Sequence, residues 1–263
     1  GILGAAKIAE ERLIPALQES QISELVAIAS RDLVKARRFA KANGIPKAYG
    51  SYDDLLSDPD IDVVYLPLPN HLHYEWTIKG AHAGKHVLCE KPLARSVDEA
   101  REMFAVCEAN HVLLMEGLMY RFHPQTRRVK ELLSQGTIGE PQLIRVAHSF
   151  PLHLLDRDED FRWRMESGGG SLLDLGVYCV DTARYLFADE PVRVFHHESK
   201  RIFDLSDIVV LGVVNNEDPD GVFNPDTLAK VCLSSLPSMV LSRSAPVPPP
   251  GAVLHARDHL RLI

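Results

Sequence analysis

Gly1-Ile2-Leu3-Gly4-Ala5-Ala6-Lys7-Ile8-Ala9 is the stretch that decides the fold. Its apolar opening reads as the last residues of a buried strand, Gly4 as a tight turn, and the small residues after it as the start of a helix. A strand–turn–helix junction that receives a pyrophosphate wants glycine for the turn, then a tiny residue where the backbone meets the phosphates. It also wants a small residue where helix packs on strand. Gly4, Ala6 and Ala9 hold those three places. The helix start behind them offers free N–H groups and the positive end of the helix dipole to an anion. The chain opens within that strand, so the strand's own beginning is expected to lie upstream, and a leader segment ahead of it is left open.

Working outward, strand and helix alternate with short connections to about residue 120. A first helix is expected from Ile8 to Gln18, interrupted early by Pro15, and a strand over Leu25–Ala29. A helix follows over Leu33–Ala42, closed by Asn43-Gly44, then a short one over Tyr52–Leu56. Val63–Leu66 is a buried strand ending in Pro67-Leu68-Pro69-Asn70, and a helix runs from Leu72 to Ala83. Strand His86–Cys89, a helix from Val97 to Asn110 and strand Val112–Met115 complete the series. This alternation predicts a doubly wound parallel sheet with helices on both faces, an α/β domain over residues 1–120.

Beyond Gly139-Glu140-Pro141 the rhythm changes. A helix over Thr126–Ser134 precedes strand Leu143–Ser149, the 168–187 region reads as turn plus helix, and Val192–His197 and Ile208–Val214 read as strands, with a weak one around Leu228–Leu233. Strands without intervening helices predict an α+β domain over 121–237 with a largely antiparallel sheet. From Ser238 onward a Pro-rich tail follows, with five prolines between Pro237 and Pro250. It is expected to be irregular, leaving the sheet short of strands and the domain truncated.

Composition bounds the partners. At 263 residues the chain is long enough for two domains. A net charge of −7 and the lack of a basic stripe speak against nucleic acid. No apolar run approaches a membrane span. Cys89, Cys107, Cys179 and Cys232 are scattered without a C-x-x-C pair, as expected of reduced thiols in the cytoplasm. No metal is expected: His71 and His73 stand two apart at a helix start, and His196-His197 point to opposite strand faces.

Three places carry chemistry. At the end of the second strand, where an acid would hold a ribose 2′-hydroxyl, stands Ser30-Arg31. Serine and a guanidinium suit a 2′-phosphate, so NADP is expected, with NAD as the alternative. Glu90-Lys91-Pro92 follows strand His86–Cys89, and Gly168-Gly169-Gly170 precedes Asp174 and Tyr178, four residues apart on one helix face. A lysine at a strand end and a tyrosine from a separate segment are what a nicotinamide enzyme needs to move a proton beside a hydride. The ammonium would lower the tyrosine's pKa from about 10, making it a usable base.

The ordered set resembles the Gfo/Idh/MocA oxidoreductases over roughly residues 1–215. It comprises Gly4-x-Ala6, Ser30-Arg31-Asp32, Pro67-x-Pro69-Asn70-x-x-His73, Glu90-Lys91-Pro92, Met115-Glu116 with Tyr120-Arg121 and His123-Pro124, and the glycine triplet with Asp174 and Tyr178. Many relatives have histidine where this chain has Tyr178. Tyrosine there is similar to the branch with glucose-fructose oxidoreductase, dimeric dihydrodiol dehydrogenase and NADP-dependent xylose dehydrogenase. The resemblance implies a Rossmann domain followed by an open-faced sheet domain. It implies Gly4 and Ala6 at the pyrophosphate, Lys7 and Ile8 also among the cofactor contacts, and Ser30 with Arg31 at the adenosine ribose. Leu66, Pro67, Asn70 and His73 would lie near the nicotinamide half and Glu90 near its ribose, with Arg121 also among the cofactor contacts. Lys91 and Tyr178 would be the catalytic pair, assisted by Asp174, and Arg162 and Trp163 would meet substrate beside them.

The function expected from this is hydride transfer between NADP and a sugar or cyclic polyol, of the aldose 1-dehydrogenase or trans-dihydrodiol dehydrogenase type. The alternatives are a nucleotide-sugar ketoreductase, suggested by Tyr65–Pro69 and Asp160–Arg164, and an impaired truncated isoform or NADP-binding sensor. A homo-oligomer would form through the second domain's sheet.

Overall fold

The computed structural model describes residues 1–148, 160–191 and the backbone of 239–242. It divides into two compact units, Gly1–Leu118 with Arg164–Gly169, and Met119–Trp163 with Gly170–Ile263.

The first unit is built on six parallel strands: β1 (Ile2–Leu3), β2 (Ala27–Ala29), β3 (Lys47–Tyr49), β4 (Val63–Leu66), β5 (His86–Cys89) and β6 (Leu114–Glu116). Their spatial order is β3-β2-β1-β4-β5-β6. The order reverses between β1 and β4, and a crevice at the carboxyl ends of these two strands is where such sheets bind ligands. The inner strands are continuous apolar runs because both sheet faces are covered. Alternate residues divide between the two faces: Leu3, Ala29, Leu66 and Cys89 join one core cluster, and Ile2, Ile28 and Tyr65 the other.

Local chemistry sets the helices. The first turns helical at Lys7, passes through a π-helical turn at Ala9–Leu13 and becomes α1 (Ile14–Glu19). Pro15, which lacks an N–H, lies at the start of α1. Asp32 caps α2 (Leu33–Asn43), and Gly44 closes it at φ +67°. Ser51 caps α3 (Tyr52–Leu56) and Ser96 caps α5 (Val97–Ala109), each cap contributing about 1 kcal/mol. Between them α4 (His73–His82) follows a 3₁₀ turn at Asn70–Leu72.

The second unit contains α6 (Pro124–Ser134), β7 (Leu143–Val146) and α7 (Val177–Phe187), with a π-helical turn at Leu172–Gly176 leading into α7. Val129, Ile144 and Leu186 form its core. One expectation is corrected here. Met239–Ser242 is not irregular: it forms β8, antiparallel to β7, with Leu143 opposite Ser242 and Val146 opposite Met239. Met239-Val240-Leu241-Ser242 is a proline-free window between Pro237 and Pro246, so nothing in it removes a ladder donor. The strands expected at 192–197, 208–214 and 228–233, and the tail from 243, lie outside the described residues. The architecture is thus a Rossmann-type α/β unit followed by an α+β unit.

Candidate active site

The first turn is shaped for close approach. Gly4 holds φ +117°, and a Cβ on it would lie 2.9 Å from Leu68 Cδ2. Its N–H donates to the Ala29 carbonyl at 2.9 Å, tying this turn to the end of β2, and the Ala6 N–H donates back to the Gly4 carbonyl at 2.9 Å. Ala9 is fully buried against the sheet. Of the other residues expected here, the Lys7 side chain is exposed and pairs with Glu11 at 3.5 Å, and Ile8 is also exposed.

At the end of β2, Ser30 is buried; its N–H donates to the Tyr49 carbonyl, and its hydroxyl accepts from the Asp32 N–H at 3.3 Å. Asp32 accepts from the N–H groups of Val34 (2.8 Å) and Lys35 (3.2 Å). The nearest acid is therefore consumed as a helix cap, and the exposed Arg31 is the charged side chain left at this strand end. Tyr52 was missed by sequence reasoning. It is buried, stacks edge-on against Trp76 (4.8 Å, 86°), and its hydroxyl lies 3.9 Å from where a Gly4 Cβ would stand. Burial pushes the Tyr52 hydroxyl pKa up, while hydrogen bonding and charge from Arg31 act the other way. Its only sequence signal is an aromatic residue directly after a serine cap.

The turns after β4 and β5 are locked together. Leu66 and Pro67 are buried. Asn70, expected near a nicotinamide, is buried and ties two segments together, its Nδ2 donating to the Gly168 carbonyl at 2.7 Å. The glycine there is required: at φ +74°, a Cβ on Gly168 would stand 3.0 Å from Asn70 Cβ. His73 is fully buried, with Nδ1 2.8 Å from the Pro92 carbonyl and Nε2 2.7 Å from the Leu68 carbonyl. Both ring nitrogens thus face backbone carbonyls, and the side chain, expected near the nicotinamide half, braces the turns after β4 and β5. Burial lowers its pKa against the opposing pull of both carbonyls.

Around Lys91 the backbone is fixed from several directions. The Glu90 carboxylate accepts from Tyr65 Oη (2.6 Å) and the Lys91 N–H (3.2 Å), and Glu116 accepts from the Leu93 N–H (2.8 Å). The Lys91-Pro92 peptide is cis.

In the second unit, Tyr178 lies in the first turn of α7. Its ring meets Tyr120 (6.1 Å, 72°) and His148 (5.1 Å, 51°), and its hydroxyl lies 3.6 Å from Met119 Sδ. Asp174 is buried in the π-helical turn, and Arg162 bridges it to Asp160, with Nε 3.2 Å from Asp174 Oδ2 and Nη1 3.1 Å from Asp160 Oδ2. Trp163, next in the same 3₁₀ turn, is half-buried. Arg121, expected among the cofactor contacts, forks its guanidinium onto Asp181 (Nε to Oδ2 2.8 Å). Asp181 and His148 carried no motif signal. Among the described residues, no group of three His, Cys, Asp or Glu side chains could hold a metal ion.

Comparison with known proteins fits this geometry. Residues 1–118 match the family described as "Oxidoreductase family, NAD-binding Rossmann fold", and residues 126–219 match the "GFO/IDH/MocA C-terminal domain". The chain belongs to the Gfo/Idh/MocA oxidoreductase family. Within that family it is similar to the D-xylose 1-dehydrogenase (NADP(+)) 2 of Haloferax volcanii, 47% identical over 195 residues, which are 74% of this chain and 58% of the relative. It is 41% identical to the trans-1,2-dihydrobenzene-1,2-diol dehydrogenase of Xenopus laevis over 67% of this chain and 54% of that one. Among solved structures, the 3-ketoreductase KijD10 of Actinomadura kijaniata, in complex with NADP and TDP-benzene, superposes with a TM-score of 0.68. That match is at 39% identity over 74% of this chain and 58% of KijD10. The chain thus spans somewhat over half the length of these Gfo/Idh/MocA relatives.

Proposed function

We propose that the protein is an NADP-dependent oxidoreductase acting on a CH–OH group of a sugar or cyclic polyol. The observation that carries the reading is the positive-φ Gly4 turn joined to a β2 end that presents Arg31 while Asp32 is spent as a cap. The turn demands glycine, because at φ +117° a Cβ on Gly4 would stand 2.9 Å from Leu68 Cδ2, and a strand–turn–helix junction of this kind suits the pyrophosphate of a dinucleotide. Ser30 and Arg31 would hold its 2′-phosphate, Gly4 and Ala6 its pyrophosphate, and Glu90 its nicotinamide ribose. When bound, the nicotinamide supplies the hydride acceptor or donor.

The chain's own residues handle the proton. Tyr178 Oη takes the substrate hydroxyl proton during oxidation and returns it during reduction. Lys91, the other member of the proposed pair, would supply the positive charge that favours proton loss to the tyrosine. Asp174 and Arg162 orient the neighbouring hydroxyls, with Trp163 beside them. The similarity to a 3-ketoreductase complexed with TDP-benzene, and to the dTDP-3,4-didehydro-2,6-dideoxy-alpha-D-glucose 3-reductase of the same organism, favours a second reading, reduction of a nucleotide-linked keto sugar by the same pair. Cys89, Cys107 and Cys179 are free thiols, in keeping with a reducing compartment such as the cytoplasm. Among the described residues no helix is long and apolar enough to cross a membrane. A homo-oligomer would use the sheet of the second unit.

The test mixes the protein with NADP and a panel of aldoses, cyclic diols and polyols, and with NADPH and keto sugars free or nucleotide-linked, following the reduced-nicotinamide absorbance. Turnover of a free sugar or diol supports the leading reading, and turnover of nucleotide-linked substrates alone supports the second. NADP binding without turnover of any of them would refute both.

A further inference from the structure

Asp181 is a buried carboxylate that the proton transfer above does not use. It lies on α7 three residues past Tyr178, one helical turn along the same face. It accepts from Tyr120 Oη and from two nitrogens of Arg121, Nε at 2.8 Å and Nη2. Arg121 also lies over the Tyr185 ring at 5.0 Å, and Lys130 donates to the Tyr185 carbonyl. An ion pair this buried is weak evidence for stability, because well-packed apolar side chains of similar volume do as well. Its distinctive property is direction, since a forked guanidinium–carboxylate contact fixes both partners in angle as well as distance.

That direction ends on Tyr178. The Tyr120 hydroxyl held by Asp181 sets the Tyr120 ring edge-on to the Tyr178 ring, and the preceding residue brings its sulfur to the Tyr178 hydroxyl. Burial and the Asp181 carboxylate both push the Tyr120 pKa up, so Tyr120 stays a neutral donor. We propose that Asp181 is a positioning residue for Tyr178: through Tyr120 and Arg121 it clamps the Met119–Phe122 turn against α7 and fixes the tyrosine ring in one orientation. This rests on the reading of Tyr178 as the proton-transfer group.

The experiment follows ring-labelled tyrosine by NMR, with Tyr178 assigned through Tyr178→Phe, together with steady-state kinetics. Asp181→Asn should move the Tyr178 ring resonance in the direction that Tyr120→Phe moves it. It should also lower kcat ~10- to 100-fold, the scale of a small misplacement of a reacting group, while KM and NADP affinity stay within about twofold. In a Tyr178→Phe background it should cause no further loss. Asp181→Glu should restore part of kcat. The paired variant Arg121→Gln with Asp181→Asn leaves no buried charge unpaired, so if the single variant fails to fold, the pair should still show the shifted resonance. An unmoved Tyr178 resonance, or an equal loss with and without Tyr178, would overturn the proposal. Normal turnover in Tyr178→Phe would instead overturn the assignment of Tyr178, and the resonance would still decide the positioning role.

Discussion

Replacing Gly4 by alanine tests the cradle at its tightest point. At φ +117° the residue occupies backbone space that side chains rarely adopt, at a cost of about 1–3 kcal/mol. The new Cβ would also stand 2.9 Å from Leu68 Cδ2. Leu68 is buried but this methyl is the end of a rotatable side chain, so the crowding adds an amount near the lower end of the ~1–3 kcal/mol seen for overpacked cores. The sum is roughly 2–4 kcal/mol, which at about 2–4 °C per kcal/mol for a protein of this size lowers Tm by about 4–16 °C. Gly44→Ala is the control, since Gly44 also has positive φ (+67°) but nothing within 4 Å of a Cβ. It should cost ~1–2 kcal/mol, the left-handed penalty alone. Thermal unfolding followed by circular dichroism, with and without NADP, reads both effects. Gly4→Ala should lose more stability than Gly44→Ala and lose the upward shift that NADP gives the wild type. Equal losses, or an intact NADP shift in Gly4→Ala, would refute the close-approach argument.

Arg31→Ala should weaken NADP by about 1.5–3 kcal/mol and leave NAD nearly unchanged in a fluorescence titration; equal weakening of both would remove Arg31 from the 2′-phosphate. Lys91→Met and Tyr178→Phe should each lower turnover at least ~100-fold with cofactor affinity retained, the double variant being little worse than either. Fully additive losses in that kinetic comparison would show that the two do not act as a unit. Asp58 gives a pH prediction: the Lys47 ammonium at 2.9 Å, the Asp60 N–H at 3.0 Å and the Tyr49 hydroxyl at 2.8 Å hold its pKa down to about 2. Its folded pKa lies below the unfolded one, so its contribution is present above about pH 4 and is lost as pH falls through about 2. Asp58→Asn should therefore flatten the decline of Tm over that window, and an unchanged slope would assign acid lability to other groups.

What the sequence revealed and what it hid divide along chain separation. β4 and β5 were read to the residue because a strand covered on both faces is a short unbroken apolar run, and the turns after them announce themselves with proline and a charged residue. Ser96 and Gly44 marked helix ends through local capping, for which only neighbouring residues matter. The bracing of the site is a different kind of fact. Asn70 reaches Gly168 across 98 positions, and Tyr120 reaches Asp181 across 61. Such pairs leave no periodicity behind, so the bonds that Asn70, His73 and Arg121 make within the protein could not be read from the sequence. β8 was hidden for the opposite reason. Four strand-competent residues stood among prolines, and average composition outweighed the one local point that mattered, that no proline falls within Met239–Ser242. The lysine and tyrosine proposed for chemistry were visible because their types are chemically uncommon at a strand end and a helix start. The groups that aim them, Glu90 with Tyr65, His73 with Pro92 and Asp181 with Tyr120, belong to ordinary residue types. Only the fold's long-range geometry gives them a role.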